Sequence, residues 1–142
     1  RMKKLANLAV ALILPMLFVS VPTQAQASSP CDGRLQSLID ATKNLSAIPP
    51  KDTAKTQNKL LKKLYDAQSE LSKGTVKAQY AAAKHVWEYD KELRNRFWKD
   101  RITCVDGAQL DEGALQLLVC IVDLYYPDST YNPYANGVIS CP

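Results

Sequence analysis

The sequence predicts an all-α protein: an antiparallel bundle of about four helices, stapled by two disulfides and followed by a turn-rich C-terminal tail. Three observations lead there. Four successive segments carry apolar residues at helical spacing, with short connections between them. The four cysteines, Cys31, Cys104, Cys120 and Cys141, form an even set in a chain that begins with an export-type segment. The composition is 46% hydrophobic and 23% charged over 142 residues, which excludes disorder and a collagen-like repeat.

Residues 1–27 read as a cleaved signal peptide and stand outside the fold. Arg1, Lys3 and Lys4 make a positive start, Leu8 to Val19 is an apolar run, and Ala25-Gln26-Ala27 offers small residues for cleavage. The run falls short of the roughly 18 residues of a spanning helix, and Pro15 interrupts it. An uncleaved anchor is the alternative reading. No cysteine stands just after the run, which argues against a lipid-anchored form. Residues 28–142 are then one helical, disulfide-stapled domain, expected in the periplasm or secreted, with no stable membrane span after cleavage.

Leu35, Leu38, Ile39 and Leu45 predict a first helix over about Arg34 to Ser46, stopped by Pro49-Pro50. Asp52 or Thr53 can cap the second, whose stripe is Gln57, Leu60, Leu61, Leu64, Ala67 and Leu71. Lys73-Gly74 supplies its end, a cation followed by a residue at ease in the left-handed region. Thr75 caps the third helix. Its expected inner stripe is Val76, Tyr80, Ala83, Val86 or Trp87, Leu93 and Phe97, running to about Lys99, with the charged run from Glu88 to Arg96 as a solvated face. Asp106-Gly107 marks a turn. Ala114 to Tyr126 is apolar on nearly every side and reads as a central helix, with a buried strand as the alternative. Residues 126–142 are an irregular tail with Asn132-Pro133 and Asn136-Gly137, tied to the body by Cys141.

Helix order bears on the disulfides. In an up-down-up-down bundle Cys31 precedes the first helix and Cys104 follows the third, at opposite ends. Cys120 lies roughly 18 Å back along the fourth helix toward the Cys31 end. This favours Cys31–Cys120 and Cys104–Cys141 over the other two connectivities.

Charge argues against nucleic acid as a partner. The formal net charge of +4 shrinks to +1 without Arg1, Lys3 and Lys4. What remains is uneven: every other basic residue lies between Arg34 and Arg101, while 102–142 holds five acids and no Lys or Arg. The two halves neutralise each other by packing or present a two-signed surface to a charged partner.

Most cofactor and catalytic chemistries lack their residues. There is no C-x-x-C, no G-x-S-x-G and no phosphate-binding glycine loop. The one histidine, His85, has Glu88 three residues on, and that pair alone does not close a metal site. Four-cysteine zinc coordination would need closer spacing, and no methionine follows Met16 to ligate haem or copper. No cofactor and no metal are expected. Glu88 and Glu92, four apart on one helix, are the pair through which a small hydrolase would work.

The stretch Trp98-Lys99-Asp100-Arg101-Ile102-Thr103-Cys104, followed by Gly113 and Cys120, resembles the later part of the LprI-type lysozyme-inhibitor family, with Asp-Arg here where that family has Arg-Asp. Asp90-Lys91-Glu92-Leu93-Arg94 echoes its Asp-x-x-Leu-Asn. Leu35 to Asn95, with Leu60-Leu61, Leu64, Ala67, Leu71 and Gly74, resembles the FIMAH-type helical hairpin of secreted bacterial proteins. Both resemblances imply an exported helical module, and neither implies catalysis.

The leading functional expectation is a non-enzymatic binder that inhibits or neutralises another protein, such as a muramidase or a toxin. Trp87, Tyr89, Arg94, Arg96 and Trp98 are the candidate contacts, as types favoured at interface hot spots. The alternative is a cell-envelope or surface module that binds glycan through Tyr125, Tyr126, Tyr131 and Tyr134. The third is the small hydrolase.

Overall fold

The computed structural model describes residues 29–142; the expected signal peptide lies outside them. Four helices follow in order: α1 (Asp32–Lys43), α2 (Thr53–Leu71), α3 (Val76–Trp98) and α4 (Cys104–Tyr125). Short 3-10 turns at Pro50–Asp52 and Pro133–Asn136 complete the secondary structure. Each helix packs against its neighbours in chain order, and α4 closes the ring on α1. The fold is an all-α four-helix bundle with two disulfides. Among the described residues no helix is long and apolar enough to cross a membrane.

The local signals act much as side-chain chemistry dictates. α1 stops at Lys43, three residues before the expected end, because Gln57 reaches across from α2. Its amide donates to the carbonyls of Lys43 (2.8 Å) and Leu45 (2.7 Å). A residue expected in an apolar stripe thus satisfies carbonyls that α1 leaves open. α2 buries Leu60, Leu61, Leu64, Ala67 and Leu71 as expected. Gly74 then turns the chain at φ +65°, where a side chain would be strained. Thr75 Oγ1 accepts from Ala78 N–H at 3.2 Å and caps α3.

α3 buries Ala83, Val86 and Leu93 as expected and departs from the expected stripe at its start. Ala78, Ala82, Val86, Tyr89 and Leu93 face inward, at spacings of three and four. Val76 and Tyr80, expected inside, are among the exposed large apolar residues, and of the alternatives Val86 and Trp87 it is Val86 that is buried. The alanines let α3 lie close to both α2 and α4, and Tyr89 fills the centre. Thr42 Oγ1 donates to Leu38 O (2.7 Å) and so accepts the Tyr89 hydroxyl proton (2.8 Å) across the bundle diagonal. Burial raises the Tyr89 pKa, keeping the phenol neutral and able to donate.

α4 begins ten residues before the apolar run. Thr103 caps it by accepting from Asp106 N–H (3.1 Å), so Asp106-Gly107 is the first helical turn instead of a loop turn. Asp106 there complements the positive helix end. The glycine answers a contact: a Cβ at 107 would stand 3.0 Å from Phe97 Cδ2 and 3.7 Å from Ile139 Cγ2. The segment 114–125 is helix and not strand.

The disulfides are Cys31–Cys120 and Cys104–Cys141, with Cα separations of 5.8 and 5.7 Å. The first joins the start of α1 to α4; the second fastens the tail to the start of α4. That tail is better packed than its composition implies, with Pro133 and Ile139 buried. Stable disulfides of this kind belong to an oxidising environment.

Candidate binding groove

The outer face of α3 places Tyr80 and Trp87 beside the tail. Tyr80 and Trp87 of α3, Tyr125 of α4, and Tyr126 and Tyr131 beyond it line one groove of about 460 Å³, floored by Ala83, Leu118 and Val122. Tyr80 meets Tyr125 edge to face, with ring centres 6.0 Å apart. Lys91 Nζ lies 5.2 Å from the Trp87 ring centre, a cation–π contact on the rim. Trp87 is 48% exposed, Tyr131 49% and Tyr80 63%. With Tyr126 at 59%, four aromatic side chains so exposed on one concave surface form the kind of patch that marks an interaction site.

The groove continues past Trp87, Leu118 and Tyr131 into a recess of about 450 Å³ bordered by Asn132–Asn136, with Asp90 and Arg94 in its wall. There a buried polar cluster holds the tail in place. Arg94 Nε donates to Asp90 Oδ2 (2.9 Å), and Arg94 Nη2 donates to Gly137 O (2.8 Å). The same Nη2 lies 2.8 Å from Asp111 Oδ1. Asp111, fully buried, accepts Ile139 N–H at its Oδ2 (2.8 Å). Two helices and the tail therefore converge on one guanidinium and two carboxyls.

Asp90 Oδ1 and Asp111 Oδ1 are buried without a directed hydrogen bond. Asp111 is the neighbour that, after burial, most favours a proton on Asp90. A proton on Asp90 lets it donate toward Asp111 and leaves a neutral Arg94–Asp111 pair beside a neutral acid. Burial, then the neighbouring Asp111, pushes the Asp90 pKa up to about 7 against the opposing pull of Arg94.

The sign of the pH dependence follows. The folded state holds this proton to about pH 7, and the unfolded chain releases it near 3.8. The stability it confers is fully present below that lower value and is lost as pH rises through 7. Asp90→Asn keeps a donor toward Asp111 and an acceptor toward Arg94 without a titratable proton. Compared with wild type, this variant is expected to be about 1–2 kcal/mol more stable at pH 8 and near parity at pH 5. Urea unfolding at the two pH values measures it; a variant less stable at both would remove the shared proton.

The expected contacts along α3 do not form one exposed face. Tyr89 is 0% exposed and belongs to the core. Arg94 is held by Asp90, Asp111 and the tail. Arg96 is held by Glu92 (2.9 Å) and Thr56 (2.8 Å). Trp98 is 75% exposed but stacks edge-on against Phe97 near the end of α3, away from the groove lining. Of that set only Trp87 lines the groove. Of the tail tyrosines, Tyr125, Tyr126 and Tyr131 line it, while Tyr134 turns to Glu112 Oε1 (3.2 Å).

Glu88 and Glu92 each face a cation. Glu88 lies 3.5 Å from Lys63 Nζ, and Glu92 lies 2.9 Å from Lys59 Nζ. Partial burial works to raise the Glu92 pKa, but Lys59 and Arg96 together outweigh it and hold the carboxyl below its ordinary range. A general acid needs the opposite shift. The carboxyl with such a shift is Asp90, beside buried Asp111, a placement that sequence reasoning missed. Its available signal was an acid on the Gly107–Ala114–Leu118 face of α4, opposite an Asp90–Arg94 pair four residues apart.

Searches against known protein families, curated proteins and solved structures find no match to the chain.

Proposed function

We propose that this chain is an exported, non-catalytic protein that docks a partner protein in the aromatic groove and thereby inhibits or neutralises it. One observation carries the reading: five Tyr and Trp side chains from α3, α4 and the tail line a single concave surface. Tyr and Trp dominate interface hot spots because each buries a large rigid area at small entropic cost. Lys84 in the lining and Lys91 over Trp87 make the α3 rim cationic. The fitting partner segment therefore has an apolar or aromatic anchor flanked by acids. The leader-like residues 1–27 and the two disulfides support export to the periplasm or beyond.

The test is affinity capture with the purified, oxidised protein from envelope extract and against a panel of muramidases, chosen for the resemblance of residues 98–120. Trp87→Ala with Tyr131→Ala is the comparison bait. Each truncation at a hot spot costs about 2 kcal/mol, roughly 30-fold in affinity. The double variant is thus expected to lose the partner while its unfolding midpoint stays near wild type, since both side chains are half exposed. Undiminished capture by the variant would remove the groove as the site.

A second reading has its own observation, namely that three tail tyrosines join the groove and present flat rings on which sugar faces can stack. Retention of peptidoglycan or polysaccharide with no stoichiometric protein would favour that envelope role.

A further inference from the structure

The opposite signal, concentrated positive charge, gathers at the end of the bundle where α1 runs into α2 and α3 into α4. The two connections are joined there: Ile48 N–H donates to Arg101 O (2.8 Å), and Ala47 pairs with Ile102 as an isolated antiparallel bridge. Between them lies a recess of about 250 Å³ lined by Ile48, Asp52, Lys55, Thr56, Arg96 and Arg101. Three cations face one acid. Lys55 and Arg101 form no ion pair among the described residues, nor do their neighbours Lys51 and Lys99.

Arg96 is the fixed element. Its Nε donates to Glu92 and its Nη1 to the buried Thr56 hydroxyl, which orients the guanidinium plane. Its Nη2 makes no hydrogen bond among the described residues. A planar guanidinium held by Glu92 and Thr56, with unused donors and flanked by two exposed cations, matches the needs of an oxyanion with several acceptor oxygens. The positive end of α2, whose first turn supplies Lys55 and Thr56, adds to the same field. The recess is smaller than the roughly 300 Å³ at which drug-sized sites begin, so it fits a compact anion better than a whole metabolite.

We propose that this recess is an anion site that takes a phosphate group, with Arg96 as the oriented donor and Lys55 and Arg101 as closing cations. The site stands about two and a half turns along α3 from Trp87 and does not depend on the groove. A phosphate group can arrive on a soluble molecule or as the headgroup of an anionic lipid, and the chemistry of the recess is the same for both.

The experiment titrates the oxidised protein with inorganic phosphate at constant ionic strength, with chloride as the control anion, and follows amide and guanidinium NMR shifts. Saturable shifts confined to Lys55, Thr56, Arg96 and Arg101 are expected. Lys55→Glu with Arg101→Glu should weaken them at least tenfold; both side chains are exposed, so the fold should persist. A second arm sediments the protein with phosphatidylcholine vesicles with or without phosphatidylglycerol. Co-sedimentation on the anionic vesicles alone, lost in the double variant, supports the site and assigns the headgroup as source. Saturable phosphate binding without vesicle binding supports the site and assigns a soluble source. Shifts that chloride reproduces, shifts equal in the double variant, or no response in either arm would overturn the proposal.

Discussion

Arg94→Met is expected to cost about 3–5 kcal/mol of stability at pH 8, the largest effect of any single replacement here. The side chain is mostly buried and similar in volume to its replacement, so the loss is electrostatic. Without the guanidinium, Asp90 and Asp111 become two carboxyls in an apolar wall with no counter-charge, and Gly137 O loses its donor. Lowering the pH should relieve the penalty, because a protonated Asp90 no longer repels Asp111. Adding Asp90→Asn to Arg94→Met should recover part of the loss at pH 8 for the same reason. Denaturant unfolding of the single and double variants at pH 5 and pH 8 reads out all of this. A cost below about 1 kcal/mol at pH 8, the level of a surface ion pair, would mean that Arg94 does not anchor the cluster.

Removal of Cys31–Cys120 by paired alanine substitutions should cost about 4 kcal/mol, because the bridge spans a sequence separation of 89 residues and restrains the unfolded chain accordingly. Cys31 is itself fully buried in the core, which adds a packing loss to the entropic one. Cys104–Cys141 spans only 37 residues and holds the tail. Its removal should leave the helix bundle intact by circular dichroism yet weaken partner binding, since the tail with Tyr131, one wall of the groove, is then held only by the Arg94–Gly137 and Asp111–Ile139 hydrogen bonds. The two double variants thus separate stability from function. Equal binding by the Cys104/Cys141 variant would show that this disulfide does not shape the site.

The parts of the fold decided by short-range chemistry were legible in the sequence. Thr75 and Gly74 marked their helix ends because a cap and a left-handed turn need those residues. The α2 stripe was unambiguous because its leucines recur on one face. The disulfide pairing followed from helix order and the length of the tail.

What was not legible depended on close approach between elements. Three alanines at 81–83 carry too little hydrophobicity to set the start of α3, so Val76 and Tyr80 were drawn into the expected stripe, while its later members Ala83, Val86 and Leu93 are buried. Asp90 sits in a string of charges from Glu88 to Glu92 and reads as solvated. Only the folded bundle brings it against Asp111, with Arg94 between them and the tail. Ile139 likewise looks like a lone apolar residue among turn formers until its N–H meets Asp111 and its side chain meets Gly107. The candidate groove was hidden for the same reason: its aromatic residues come from three segments that converge only when the tail is fastened.

The most direct test of the groove as the binding site uses the two tryptophans of the chain, Trp87 and Trp98. With 5-fluorotryptophan incorporated, the protein gives one ¹⁹F resonance for each, assigned by Trp98→Phe. Adding the unlabelled captured partner should shift or broaden the Trp87 resonance, while Trp98, at the far end of α3, keeps its position. A shift of Trp98 with Trp87 unchanged would place the partner elsewhere and contradict the groove assignment.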